Sequence, residues 1–385
     1  MSQNFSVLRL QKYGFFHYGQ VFSDEIFQQI YNSLIFNEKF FVVTTQFYYY
    51  LCSSKHKTAM PNKKILGIGS ALVDILTQIP DEHILQELNL PKGSMTYVDA
   101  QTSVEIGKKL AHSGNQMASG GSAANTMSGL AKLGIEAGFL SKIGKDEIGR
   151  FFEKQMTESH VKPLMLTSNT PSGRVQAIVT PDGERTFATC LGAAAEMCAD
   201  DIRPELFEGW DILYVEGYLV ANPTMLDKAV TTAKAAGLKI AIDMASYNVV
   251  EESRDYFMQL IENYVDYVFA NEQEAYALTG MESLQALDFI ASRCEIAIVK
   301  VGAKGAYIKR GNEMVTVPPI KANVIDTNGA GDMWAAGFMA GLVKGENLTK
   351  CGQMGGIVAA NVIEVLGTKM DAARWEKIHT AIAKL

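Results

Sequence analysis

Residues 326–332 read Asp-Thr-Asn-Gly-Ala-Gly-Asp and run directly into the apolar stretch 333–343, so a glycine-rich turn, a carboxylate and a helix start fall together. This spacing predicts that the backbone N–H groups of Gly329, Ala330 and Gly331 lie in the first helical turn. There, unsatisfied donors and the positive end of the helix dipole favour an anion. The small residues let a phosphate approach the backbone closely. Asp332 would repel that phosphate unless the chemistry requires it, and a general base for a hydroxyl attacking phosphorus is such a requirement. Read alone, Asp332 is equally well a first-turn acid that complements the dipole.

A second glycine-rich stretch, Gly120-Gly121-Ser122-Ala123-Ala124-Asn125, leads into a helix carrying Met127, Leu130 and Leu133, followed by a strand-like run at 138–144 and by Asp146 and Gly149. In order and content the two stretches resemble the two signatures of the ribokinase-like (PfkB) sugar and nucleoside kinases. The second signature, Asp-Thr-x-Gly-Ala-Gly-Asp, is matched in full. The resemblance spans roughly residues 62–385. It implies an ATP-dependent phosphotransferase using Mg²⁺, with Asp332 as base and Gly329, Ala330 and Gly331 as the anion hole. It also implies binding of the acceptor sugar by Asp74, Gly120, Gly121 and Asn125, with Arg185 and Phe187 reaching in from a lid.

Several of these residues have a reading of their own. Asp74 follows the apolar run 65–69, at the carboxyl edge where open α/β sheets bind ligands. A carboxylate there can accept two hydrogen bonds from vicinal hydroxyls, although a turn or helix cap is the plainer role. Asn271 and Glu274 have the spacing of a capping box, and by resemblance they also support a hydrated Mg²⁺, Glu274 acting on the metal through water. Residues 300–305 occupy the place of the family's Thr-x-Gly-x-x-Gly nucleotide segment. Gly302 and Gly305 match, while Lys300 replaces the threonine. Asp326 and Thr327 complete the nucleotide side, and Asn361 falls where relatives line the adenine pocket.

These residues must be positioned by a scaffold, and from residue 61 onward short apolar runs alternate with amphipathic ones, as in an α/β fold. Strands are expected at 65–69, 211–215, 239–243, 267–270 and 296–301, and helices at 225–236, 256–263 and 272–278. Together they predict a ribokinase-like fold with a mainly parallel central sheet and helices on both faces. Residues 173–180 and 184–189 alternate across Pro181-Asp182-Gly183 as a β-hairpin. With residues 95–98, the segment 161–192 is expected to form a small β-sheet lid.

Acceptor choice rests on finer resemblance. Asn328 and the run 192–195 look more like adenosine kinases, favouring the ribose 5′-hydroxyl of a nucleoside. The alternative is a sugar kinase of the ribokinase, fructokinase or 2-keto-3-deoxygluconate kinase type, to which residues 184–187 are also similar. A nucleoside-binding regulator without turnover is disfavoured by the intact Asp332 and glycines.

Other classes are excluded more simply. The chain has no Gly-x-x-x-x-Gly-Lys-Ser/Thr loop and no protein-kinase His-Arg-Asp and Asp-Phe-Gly pair. A net charge of −7, without basic runs, argues against nucleic acid. Five scattered cysteines and six scattered histidines give no metal or disulfide pattern and fit a reducing cytoplasm. The first 60 residues differ, holding 15 of the chain's 36 aromatic residues but only two of its 33 glycines. Their apolar stretch 40–52 is shorter than the roughly 20 residues a bilayer span needs, so no membrane partner is expected. Met60 is expected to be the natural start of a kinase domain, 60–385, with residues 1–59 an extension outside the catalytic fold. A partner-binding role for it is the rival reading. The family's habits allow a monomer or a homodimer.

Overall fold

The computed structural model describes residues 63–385 apart from 112–114 and 183–184, so the aromatic-rich segment 1–59 lies outside the described residues. Along the chain the strands are β1 (Ile65–Ile68), β2 (Leu72–Gln78), β3 (Met95–Tyr97), β4 (Asn115–Gly120), β5 (Ala137–Gly144), β6 (Val161–Ser168), β7 (Gly173–Val179), β8 (Arg185–Cys190), β9 (Ile212–Glu216), β10 (Lys239–Asp243), β11 (Tyr267–Asn271), β12 (Ile296–Lys300), β13 (Ala306–Arg310) and β14 (Glu313–Val317). The helices are α1 (His83–Glu87), α2 (Ala100–Leu110), α3 (Ser122–Lys132), α4 (Glu147–Glu158), α5 (Pro223–Ala235), α6 (Tyr247–Glu252), α7 (Arg254–Asn263), α8 (Glu272–Thr279), α9 (Ser283–Ala291), α10 (Ala330–Val343), α11 (Leu348–Val362) and α12 (Ala372–Ile382).

Nine strands make the larger sheet, in the order β14-β13-β12-β11-β10-β9-β1-β5-β6. It is parallel from β6 to β12 and closed at one edge by the antiparallel β13–β14 hairpin. Its inner strands are apolar at nearly every position because both faces are covered, and successive side chains enter opposite cores. Tyr214, Phe269 and Ile298 pack with α3, α10 and α11 on one side. Their neighbours Leu213, Val268 and Ala297 pack with α5, α7 and α9 on the other. Helix α10 is apolar around its whole circumference, which suits a helix buried on all sides. It crosses α11 backbone to backbone at Gly337, where a Cβ would stand 2.5 Å from the Met354 carbonyl oxygen.

Five further strands form a second sheet, β3-β8-β7-β2-β4. Strand β2 alternates, burying Val73, Ile75 and Thr77 while Leu72, Asp74 and Leu76 face the other way. Helices α1 and α2 cover part of the outer surface through Leu85, Ile106 and Leu110. The expected hairpin is β7–β8, paired antiparallel, and β3 joins it.

Two sequence expectations need correcting here. Residues 161–168 are not part of the lid: they form β6, the edge strand of the large sheet, parallel to β5. The lid is instead completed by β2 and β4, so Asp74 lies within a lid strand, two positions past its start, and not at the carboxyl end of a main-sheet strand.

The chain crosses between the sheets through short, tied segments. At 69–71, Ser141 Oγ accepts from Ala71 N (2.9 Å) and donates to Gly69 O (2.7 Å). At 169–172, the Asp146 carboxylate accepts from Ser172 N (2.8 Å) and Ser172 Oγ (2.6 Å), while also capping α4 at Gly149 N.

Candidate functional site

The turn before α10 is built by local hydrogen bonds. Gly329 takes a left-handed φ of 72° as N-cap, and Asp326 accepts from Asn328 N (3.0 Å) and Gly367 N (2.9 Å). Asp326 therefore holds the loop together and ties it to 367. Thr327 is exposed on the same turn, and its carbonyl accepts from Ala330 N (3.2 Å). Gly329, Ala330 and Gly331 line the cleft, and a Cβ on Gly331 would lie 3.2 Å from Lys300 Nζ.

Asp332 is the third residue of that helix. Its carboxylate accepts from Ser122 Oγ (2.7 Å) and Asn125 Nδ2 (3.0 Å), both on α3, and Thr368 Oγ1 donates to Asn125 Oδ1 (3.2 Å). Burial pushes the Asp332 carboxyl up to about 6, the Ser122 and Asn125 hydrogen bonds opposing it. The group remains largely ionised at neutral pH yet close enough to it to take a proton. The sequence singled out Asp332 and Asn125 but not Ser122 or Thr368, which meet them only through contacts of more than 200 residues' separation.

Asp74 faces the cleft from β2, against β4. A Cβ on Gly120 would sit 2.6 Å from an Asp74 carboxylate oxygen, so glycine there makes room for the acid. Gly121 turns the chain into α3 with φ 90°, and a side chain would collide with the Ser70 carbonyl oxygen. Burial raises the Asp74 carboxyl to about 6, with Lys369 pulling the other way. Phe187 projects from β8 onto the same wall, joined by Leu76, Ala118 and Ala177. Arg185 opens β8, but its side chain lies outside the described residues.

At the opposite end, Asn271 and Glu274 form a complete capping box. Asn271 Oδ1 accepts from Glu274 N (2.8 Å), and Glu274 accepts from Asn271 N and Nδ2 (2.7 Å each). The Glu274 carboxyl is raised, first by burial and then by the nearby Asp243 carboxylate. Lys300 ends β12 and pairs with Asp243 at 3.1 Å. Its burial opposes the charge, but Asp243 and Glu274 outweigh this and hold the ammonium above its usual range. Asp243 was not foreseen as part of the site, since an isolated acid at a strand end carries no motif. Gly302 and Gly305, both at positive φ, bend the chain beneath this end of the cleft.

Asn361 departs from expectation. The wall is made by Gly356, Ala359, Ala360 and Ile363 of α11 and its end, whereas Asn361 donates back to Ile357 O within its own helix (2.9 Å) and stands behind that wall. Residues 359 and 361 are about 200° apart around an α-helix, so both cannot face the same ligand.

Glu216 joins the ends from below. Fully buried at the tip of β9, it accepts from Ser70 N (3.2 Å) and Ala123 N (3.1 Å), and burial raises its carboxyl to about 7. All these groups line or floor one continuous cleft of about 2230 Å³ between the two sheets, well beyond the ~300–1,000 Å³ of a single-ligand pocket. Among the described residues no group of three or more His, Cys, Asp or Glu is placed to hold a metal. The hard oxygen donors of Asp243 and Glu274 nonetheless suit a Mg²⁺ that keeps most of its waters.

Two sheets facing each other across a cleft, with a glycine-rich helix start and a buried carboxylate in it, make a fold of the ribokinase-like class. The chain matches the pfkB family of carbohydrate kinases over residues 91–374 and belongs to it. Its fold is similar to that of the adenosine kinase from Sinorhizobium meliloti, with a TM-score of 0.72 and 33% identity over 83% of this chain and 99% of that one. The adenosine kinase of Saccharomyces cerevisiae is 27% identical over 79% of this chain and 95% of its own length. An uncharacterized sugar kinase of Archaeoglobus fulgidus is 29% identical over 64% and 98%. The protein is thus a sugar or nucleoside kinase, a phosphotransferase with an alcohol acceptor, and its family implies ATP as donor. None of its helices among the described residues is long and apolar enough to cross a membrane.

Proposed function

We propose that the protein transfers the γ-phosphoryl group of ATP to the ribose 5′-hydroxyl of a nucleoside, adenosine-like in its base. The observation that carries this reading is the make-up of the lid wall: Leu72, Leu76, Ala118, Val175, Ala177 and Phe187 share one face of the sheet with a single carboxylate, Asp74, and Gln116 and Thr189 add only neutral polar groups. A nucleoside offers the matching pattern, one vicinal diol beside a flat apolar base, whereas a free sugar carries hydroxyls around its whole rim. Gly120 and Gly121 bring the ribose close to the chain, and Arg185 and Phe187 act from the lid.

The hydroxyl of the acceptor gives its proton to Asp332 as its oxygen forms the new bond to phosphorus and the β–γ bridging bond of ATP breaks. Gly329 and Gly331 donate backbone N–H groups to the phosphoryl oxygens, beside Ala330, whose own N–H holds the turn through Thr327 O, and Lys300 adds a positive charge behind them. Ser122 and Asn125 fix the carboxylate of Asp332 in place. Gly302, Gly305, Asp326 and Thr327 shape the nucleotide side. Asn271 and Glu274 are the residues that would hold a hydrated Mg²⁺, which would supply neutralisation of phosphate charge. Burial behind the lid excludes bulk water from the transfer.

Coupled ADP release measured across nucleosides and sugars tests the reading. Turnover with adenosine and related nucleosides is the expected result. A clear preference for ribose, fructose or a keto-deoxy sugar acid, with no nucleoside turnover, overturns it in favour of a sugar kinase.

A further inference from the structure

The segment 367–369 lies across the start of α10 and is pinned there at three points. Gly367 N donates to Asp326 Oδ2 (2.9 Å), Thr368 Oγ1 donates to Asn125 Oδ1 (3.2 Å), and the Thr368 methyl packs where a Cβ on Gly329 would come within 2.5 Å. The next side chain, Lys369, consequently stands on the cleft wall beside the anion-binding turn, within electrostatic reach of both Asp74 and Asp332. Among the described residues it makes no hydrogen bond or ion pair of its own. Lys300, by contrast, is committed to Asp243.

We propose that Lys369 is a catalytic residue, its ammonium contacting the phosphoryl group as it passes to the acceptor hydroxyl and holding the phosphate ester that results. The inference rests on the phosphoryl-transfer reading and adds a cation to it. A site with carboxylates at Asp74 and Asp332 repels a transferring phosphate, and a lysine within electrostatic reach of both offsets that repulsion where the new ester forms. Lysine suits the task because its charge is compact and its long stem follows the group across the cleft.

The charged groups facing it are Asp74 of β2, Asp332 of α10 and Lys132 of α3. Crowding by the protein lowers the Lys369 ammonium to about 8, the two carboxylates opposing that pull and Lys132 reinforcing it. Because the ammonium is the active form and its free-state value is depressed, its contribution is complete below that value and disappears as pH rises through it. The side chain is still exposed to the cleft, so the depression deepens when the lid closes over a neutral acceptor and is relieved when phosphate arrives.

The experiment compares native enzyme with Lys369→Met and Lys369→Arg. In native enzyme kcat/KM declines above about pH 8. In K369M kcat falls tenfold or more and the alkaline decline is absent, while K369R recovers much of the rate and also lacks the decline, since arginine does not titrate there. By calorimetry K369M binds the nucleoside as native enzyme does but binds the nucleoside 5′-monophosphate at least tenfold more weakly. Unchanged monophosphate affinity together with an unchanged alkaline decline in K369M overturns the proposal. If native enzyme turns over sugars and not nucleosides, the acceptor reading has failed, and the same comparison with the sugar and its phosphate ester still decides the role of Lys369.

Discussion

The two sheets present different faces to the cleft. The large sheet offers strand ends and helix starts whose polar groups are already bound to one another: Asp243 with Lys300, Asn271 with Glu274, Asp332 with Ser122 and Asn125. The lid offers side chains still waiting for partners, with Asp74 and Phe187 among apolar neighbours and Met95 and Tyr97 more than half exposed. The large-sheet end is preorganised by a closely packed core, whereas the lid end leaves its side chains open to a binding partner. Catalytic electrostatics benefit from the first arrangement, because donors that are already fixed need no reorganisation in the transition state. Acceptor recognition tolerates the second.

Substitutions in the two regions should separate along this division. Asp332→Asn keeps the shape but removes the proton acceptor, and kcat should fall about 10²-fold or more while the acceptor still binds. The same base sets the acid side of the pH profile. With its carboxyl at about 6 it must be deprotonated to act, so native kcat/KM should be lost as pH falls through that value, and a flat acid side would break the assignment.

Phe338→Ala tests the rigid region from within. Phe338 is fully buried, stacked on Trp334 at 5.4 Å and edge-on to Phe269 at 5.6 Å. Truncation should destabilise by about 3–5 kcal/mol in denaturant unfolding. Asp74→Ala should act on the lid side only, weakening acceptor affinity by about 2 kcal/mol, roughly thirtyfold, with little change in the KM for ATP. Equal effects on both substrates would erase the division of labour between the sheets.

Smaller effects are expected from order itself. Amide exchange in β7 and β8 should slow when nucleoside saturates the enzyme, while β9 and β10 stay unchanged. Smallest of all, protein beginning at Met60 should keep native kcat, because every motif of the site lies beyond it. A large loss in soluble truncated protein would show that the extension takes part.

What could be read in the chain beforehand follows the same divide. The 326–332 and 120–125 stretches were legible because each is a run of consecutive residues leading into a helix, and the parallel strands because burial on both faces leaves them uniformly apolar. Strand β2 was not. Its residues follow β1 after only three positions, and Asp74 among Val73, Ile75 and Leu76 looks like a polar interruption until the partners β4 and β7 are known. Strand β6 misled in the opposite sense, since an edge strand is only partly covered and reads like its lid neighbours. Ser122, Thr368, Lys369, Asp243 and Glu216 have no local signal: their positions in the site are set by tertiary contacts alone. Asn361 shows the reverse error, a motif position that the helical turn directs away from the ligand.

The tied crossings between the sheets bear on how such an enzyme can diversify. An insertion at 69–71 would break buried hydrogen bonds to Ser141 and Glu216, and one at 169–172 would part Ser172 from Asp146. At the far end of the hairpin the ties lie at the surface. Pro181 and Asp182 are exposed, and the ion pair of Asp182 runs to Lys92 on another loop. New loops and new acceptor specificities can therefore enter a lineage at the rim of the lid, while the junctions must be inherited nearly unaltered.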